Sequence, residues 1–205
     1  VVAKLLPKQP KARERVVHQP SMPWRRIPDF IVDHLRSSKL NVSRTMLEFL
    51  ILTAARSGEV RAMVWSEVDL DARVWTVPAE RMKAKTEHRV PLSGRAVQIL
   101  TAQKTANAHA TLVFPSPGGS VPSDMILTKF LRDHNVESSE PGRIATAHGM
   151  RSSFRNWASE NGYNRDLAER ALAHTVRNQT EAAYHRTDLL DQRRGMMESW
   201  ANHVC

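Results

Sequence analysis

The spacing of apolar residues changes twice along this chain. Ile27, Phe30, Ile31 and Leu35 recur at helical intervals. Residues 45–55 then carry Met46, Leu47, Phe49, Leu50, Ile51 and Leu52 on almost every face, the pattern of a helix in the middle of a domain. Arg56-Ser57-Gly58-Glu59 ends it, with Gly58 able to turn the chain. Between Glu67 and Ser93 the pattern becomes that of short strands, one at 73–77 (Val74, Trp75, Val77) and one at 88–92, with Pro78 and Pro91 at strand ends or an edge. The residues between them, 79–87, form a long hairpin tip that carries Arg81, Lys83 and Lys85. Helical spacing returns at 95–100 and 125–131, separated by the loop Phe114-Pro115-Ser116-Pro117-Gly118-Gly119. The last third predicts helices around 148–158, 166–174 and 189–201, with a short one near 180–184. The expected fold class is mainly α with a small antiparallel β-sheet (α+β).

Charge narrows the class of partner. Lys and Arg number 30 against 21 acids, for a formal net charge of +9 over 205 residues, which favours a polyanion such as nucleic acid; a solvated basic surface is the plainer alternative. Residues 1–23 mix Pro7, Pro10, Pro20 and Pro23 with Lys4, Lys8, Lys11, Arg13 and Arg15, and read as a basic, semi-rigid linker into a domain at 24–205. The single cysteine, Cys205, excludes an intrachain disulfide, and no apolar run approaches the roughly 20 residues of a membrane span. A cytoplasmic protein with no membrane partner is expected.

Six side chains stand beside apolar sequence able to hold them still: Arg56, Lys83, His148, Arg151, His174 and Tyr184. Two guanidiniums can grip the non-bridging oxygens of a phosphodiester, histidines and a lysine can move protons, and a tyrosine hydroxyl can attack phosphorus. Each alone has an ordinary reading: a surface histidine, a hairpin lysine, a half-buried tyrosine, or an Arg56 paired with Glu59. His148 and Arg151, three apart at a helix start, share one face beside amides that favour an anion. Small Ala182 and Ala183 leave room beside the Tyr184 ring. There is no phosphate-binding Gly-x-x-x-x-Gly-Lys-Ser/Thr loop, no zinc-like Cys/His spacing and no Asp/Glu cluster for two metals, so no cofactor or metal is expected.

The ordered set resembles the tyrosine recombinase (phage integrase) family over about residues 24–200, particularly its satellite-phage and genomic-island branch. Ala55-Arg56-Ser57-Gly58-Glu59-Val60-Arg61 is similar to the family's first arginine box. Pro78-Ala79-Glu80-Arg81-Met82-Lys83 with Val90-Pro91-Leu92-Ser93 resembles its lysine hairpin, where Lys85 rivals Lys83. Ala147-His148-Gly149-Met150-Arg151 resembles the second box, and Leu172-Ala173-His174 with Ala182-Ala183-Tyr184 the closing one. Ala54-Ala55 departs from the Thr-Gly often found before the first arginine, and Met150 from a more usual Leu or Phe.

The resemblance implies the tyrosine recombinase catalytic-domain fold, without the family's upstream core-binding and arm-binding domains. It implies site-specific recombination, prophage or genomic-island integration and excision, through a 3′-phosphotyrosine. Arg56 and Arg151 would hold the phosphate, Tyr184 attack, Lys83 protonate the leaving oxygen, His148 accept the tyrosine proton and His174 bond a phosphate oxygen. Glu59 would orient Arg56, and Lys85, Arg81 and Arg155 would contact DNA. The partners implied are double-stranded attachment sites, a homotetramer on DNA formed from a domain that is monomeric alone, and accessory DNA-bending proteins. Type IB topoisomerase-like nicking and rejoining, or a non-catalytic DNA-binding module, are the alternatives. The helix at 189–201 is expected to pack on its own domain, with exchange onto a neighbouring protomer as the other option.

Overall fold

A computed structural model of the chain describes residues 19–36, 41–106, 111–174 and 187–205. The centre is helix α2 (Val42–Thr53), after a short α1 (Ile27–Phe30) that runs on in wider π-type turns to Arg36. Asn41 caps α2 by accepting the Arg44 amide at 3.0 Å, which satisfies one of the amides a helix start leaves bare. Every residue of α2 from Met46 to Thr53 is buried, as an all-round apolar helix requires. Its one buried charge, Glu48, is shared by Arg36 at 2.5 Å and Arg95 at 2.9 Å, the pairing that a buried carboxylate needs.

A three-stranded antiparallel sheet in the order β1 (Val68–Asp69), β2 (Val74–Val77), β3 (His88–Pro91) packs beside α2. Its register sets Trp75 opposite Val90 and Val77 opposite His88. Trp75 points inward onto Phe49, whose ring also meets Phe114 at 5.5 Å. The sequence pattern predicts two strands; the two-residue β1 is too short to show a period. The hairpin tip contains a 3-10 turn at Ala79–Arg81.

Helices α3 (Ser57–Arg61), α4 (Gly94–Ala106), α5 (Ile126–Asp133), α6 (Gly149–Glu160), α7 (Arg165–Ala171) and α8 (Leu190–Val204) surround this centre. The α8 face of Met196, Met197, Trp200 and Val204 is fully buried on its own domain. Trp200 donates its indole N–H to the Ile51 carbonyl at 2.8 Å and lies among Phe154 and Trp157. Arg193, also buried, is satisfied by Asp188 and by the Arg89 carbonyl of β3.

The last residues of the expected linker are part of the domain. Pro20 and Met22 are buried, the Pro20 carbonyl accepts the Thr146 amide at 3.0 Å, and Ser153 of α6 bonds the Met22 carbonyl at 2.5 Å. A Cβ on Gly149 would lie 1.9 Å from the Pro20 oxygen, so only glycine lets α6 begin against this segment.

Candidate active site

Arg56 caps α3 in extended conformation, directly after the left-handed turn at Ala54 (φ 50°) that stops α2. Glu59, buried in the first turn of α3, accepts the Arg56 amide at 2.9 Å and its Nη1 at 2.7 Å. The carboxylate therefore fixes both the backbone and the guanidinium, and leaves Arg56 about a quarter exposed. Arg56 Nη2 donates to the Ala173 carbonyl at 3.1 Å.

Arg151 approaches from α6, 4% exposed. It donates to the Ala54 carbonyl at 2.5 Å and to the Leu172 carbonyl at 2.6 Å. The two guanidiniums, nearly a hundred positions apart in sequence, thus end on the consecutive carbonyls of Leu172 and Ala173. Burial, followed by the Arg56 charge, pushes the Arg151 pKa down to about 10, and Glu59 and Glu169 oppose the shift. Arg151 Nε is buried without a hydrogen-bond partner.

Helix α7 ends at Ala171, three residues short of the expected 174. Ala173 turns left-handed (φ 49°), which aims the last carbonyls at the arginines and places His174 outside the helix. His174 Nε2 lies 3.3 Å from Arg151 Nη2 and its Nδ1 2.6 Å from Glu169. His148 stands exposed as the N-cap of α6. Its pKa is lowered by partial burial first, then by the charges of Arg151, Arg56, His174 and Lys83, so one imidazole senses four of the other predicted site residues. A lowered value keeps the ring neutral and able to accept a proton at neutral pH. The amides expected to be free at this helix start are engaged: Thr146 Oγ1 takes the Gly149 N–H at 2.9 Å, the Thr146 carbonyl the Met150 N–H at 3.3 Å and the His148 carbonyl the Arg151 N–H at 3.1 Å.

Lys83 is exposed on the β2–β3 hairpin, and Lys85 is exposed beside it with its ammonium 3.4 Å from the Glu80 carbonyl. Tyr184 lies outside the described residues, as does the short helix expected near 180–184. The chain just after it is held by Arg170, which donates to the Thr187 carbonyl, and by Asp188, which is paired with Arg89 at 2.8 Å and Arg193 at 3.0 Å.

Two of the cations expected to contact DNA have internal partners. Arg81 grips the Glu67 carboxylate and the Glu59 carbonyl, bracing the hairpin against α3. Arg155 holds Glu169 at 2.6 Å. Both side chains are half-buried and paired with acids, which sequence position alone does not disclose. Sequence reasoning also missed two residues of this neighbourhood. Glu169 joins His174 to Arg155, and His88, at the start of β3, is in contact with Ala171 and within the fields of Glu59, Arg193 and Arg151. Among the described residues there is no group of three or more metal-capable side chains and no helix long and apolar enough to cross a membrane.

Comparison with known proteins identifies relatives of this chain. The prophage integrase IntA of Escherichia coli K12 is 33% identical over 171 residues, covering 83% of this chain and 41% of that protein. The integrase of Enterobacteria phage P4 is 32% identical over 207 residues, covering 91% and 46%. IntZ, another prophage integrase of E. coli K12, is 35% identical over 196 residues, covering 95% and 47%. The chain spans about half the length of the curated relatives it matches. Among solved structures, the integrase of mycobacterium phage Brujita superposes with a TM-score of 0.63 at 20% identity, over all of this chain and 68% of that one. A λ integrase fragment, solved as a dimer bound to a COC′ core site, gives 0.60 at 20% identity over 92% and 64%. Both share the fold, mainly helical with a small antiparallel sheet, that the sequence predicts. The model of the phage integrase family matches residues 28–189, and the chain belongs to that family.

Proposed function

We propose that this chain is the catalytic part of a tyrosine recombinase that performs site-specific DNA recombination, with prophage or genomic-island integration and excision as the biological reaction. The single observation that carries the reading is the convergence of Arg56 and Arg151 on consecutive carbonyls, with His174 on one side and His148 in the same field. Two cations at one spot, Arg56 about a quarter exposed and Arg151 buried behind it with its Nε unpartnered, are a preorganised grip for a phosphodiester.

In this mechanism the Tyr184 oxygen attacks phosphorus and forms a 3′-phosphotyrosine while the bond to the 5′ oxygen breaks. His148 accepts the phenol proton, and Lys83 delivers a proton to the departing 5′ oxygen. Arg56, Arg151 and His174 stabilise the charge that grows on the non-bridging oxygens. One phosphodiester replaces another, so attack by a 5′ hydroxyl rejoins strands without an external energy source. Glu59 orients Arg56. Lys85 stands where it can meet the DNA backbone, whereas Arg81 and Arg155 serve the protein frame.

Residues 24–205, with residues 20–22 seated against α6, form the catalytic domain, and the residues before them lead in from the segments that would add DNA affinity. The partners are double-stranded attachment sites and other copies of the chain on DNA, a tetramer at synapsis, with DNA-bending proteins assisting; the cytoplasm is where such DNA is met. The λ integrase neighbour, bound to a core site, supports the DNA partner.

The test uses a nicked duplex selected for binding from a randomised library. The chain should form a covalent protein–DNA adduct that Tyr184→Phe abolishes without loss of binding. Binding without any adduct would leave a DNA-binding module instead. Relaxation of supercoiled plasmid with no strand exchange between two sites would favour the topoisomerase alternative.

A further inference from the structure

His174 is engaged on both ring nitrogens. Nε2 faces a guanidinium nitrogen of Arg151 at 3.3 Å, and a guanidinium has no lone pair to offer, so Nε2 is the acceptor in that contact. The ring proton of the neutral imidazole therefore resides on Nδ1, which donates to Glu169 Oε2 at 2.6 Å. Glu169 also accepts the His174 amide on its backbone carbonyl at 3.0 Å, which fixes the His174 main chain and side chain together. The other carboxylate oxygen of Glu169 takes Arg155 Nε at 2.6 Å, so the carboxylate is itself held. Burial pushes the Glu169 pKa up, yet the hydrogen bonds from Arg155 and His174 bring it below the ordinary carboxylate range, and the group is ionised at neutral pH.

We infer that Glu169 is a positioning residue of the cleavage site: it holds His174 in the Nδ1–H tautomer with Nε2 turned to the arginine clamp, and Arg155 in turn holds Glu169. The chain Arg155–Glu169–His174–Arg151 runs from the surface of α6 and α7 to the buried guanidinium. It works as the carboxylate behind a metal-bound histidine does, by fixing the ring and the nitrogen that faces the reacting group. From that position Nε2 accepts from Arg151 in the free protein and, once protonated, donates to a phosphate oxygen. Neither Glu169 nor Arg155 reaches the phosphate. The inference rests on reading this site as the cleavage centre.

The test has two readouts on the full chain. In long-range proton–nitrogen spectra of ¹⁵N-histidine protein, His174 should report the Nδ1–H tautomer, and Glu169→Ala should move it toward Nε2–H. On the selected nicked duplex at saturating concentration, Glu169→Ala should slow adduct formation about 10–100-fold with affinity for DNA changed less than about twofold. Glu169→Gln, which keeps the shape and an acceptor for Nδ1–H, should recover most of the rate. In a His174→Gln background, Glu169→Ala should cost little more, because the carboxylate acts through the ring. An unchanged tautomer, a wild-type rate in Glu169→Ala, or an undiminished loss in the His174→Gln background would each overturn the inference. If the parent chain forms no adduct at all, the cleavage reading fails, whereas the tautomer still decides the role of Glu169.

Discussion

Replacing Arg151 with Met separates the catalytic demand on this residue from its structural one. Met keeps the unbranched stem that fills the space between α6 and α2, so the cavity contribution stays small. What is lost is the pair of charge-assisted hydrogen bonds to the Ala54 and Leu172 carbonyls, about 1.5–3 kcal/mol each. What is relieved is the cost of keeping a cation buried next to Arg56. The Arg151 pKa stands at about 10, well below the ordinary guanidinium value, and at about 1.4 kcal/mol per pH unit that shift corresponds to about 3 kcal/mol against the charged form. The two nearly offset, leaving a net destabilisation of about 1–2 kcal/mol, within the margin of an ordinary domain. Removal of a preorganised donor from the phosphate should cost far more in rate, about 10²–10³-fold or 3–4 kcal/mol. Urea unfolding and single-turnover adduct formation on the same preparations read both quantities. A fall in unfolding free energy beyond about 4 kcal/mol, or a rate within tenfold of wild type, would show that Arg151 is a structural arginine and that the balance above is wrong.

Four further outcomes follow from the same geometry. His88 has its pKa lowered to about 4, by burial first and then by Arg193, so the unfolded chain binds a proton near pH 6.5 that the folded chain refuses until about pH 4. Stability should be fully present above about pH 6.5 and fall by about 3 kcal/mol as the pH drops to about 4, and urea midpoints across that range should lose this slope in His88→Gln. Lys83→Ala should stop cleavage of an ordinary duplex yet cleave one whose 5′ leaving oxygen is replaced by sulfur, which departs without a proton; Lys85→Ala should cleave both. Ala173→Gly should leave stability within about 1 kcal/mol, since relief of the left-handed backbone offsets the added chain entropy, whereas Ala173→Val should lose stability and cleavage together in melting and adduct assays. Adduct formation should proceed unchanged in excess chelator, as expected where Arg56 and Arg151 supply the charge that a metal would otherwise supply.

Much of this arrangement can be read in the sequence, for a physical reason. The all-apolar run of α2 announces a central helix, and an arginine at its end must either be satisfied or be useful; Glu59, three residues on, supplies the orientation. His148 and Arg151 share a helix start, and their spacing alone predicts a common face. The rest depends on contacts that no local pattern encodes. Glu169 looks like a solvated charge on an amphipathic helix until α7 stops at Ala171 and Ala173 turns His174 back onto it. Arg81 and Arg155 look like free cations until the fold sets Glu67 and Glu169, each fourteen positions away, within reach. The linker shows the same limit: proline and lysine content predicts a spacer, but only the start of α6 at Gly149 reveals that residues 20–22 are seated against the helix bearing Arg151.

The most direct measurement is a peptide map of the protein–DNA adduct trapped on the nicked duplex. It should place the DNA on Tyr184, joined to a 3′ phosphate with a free 5′ hydroxyl on the departing strand. Attachment at another side chain, a 5′ linkage, or cleavage that leaves no covalent protein would contradict the claim that Arg56, Arg151, His148 and His174 surround the phosphate that this tyrosine attacks.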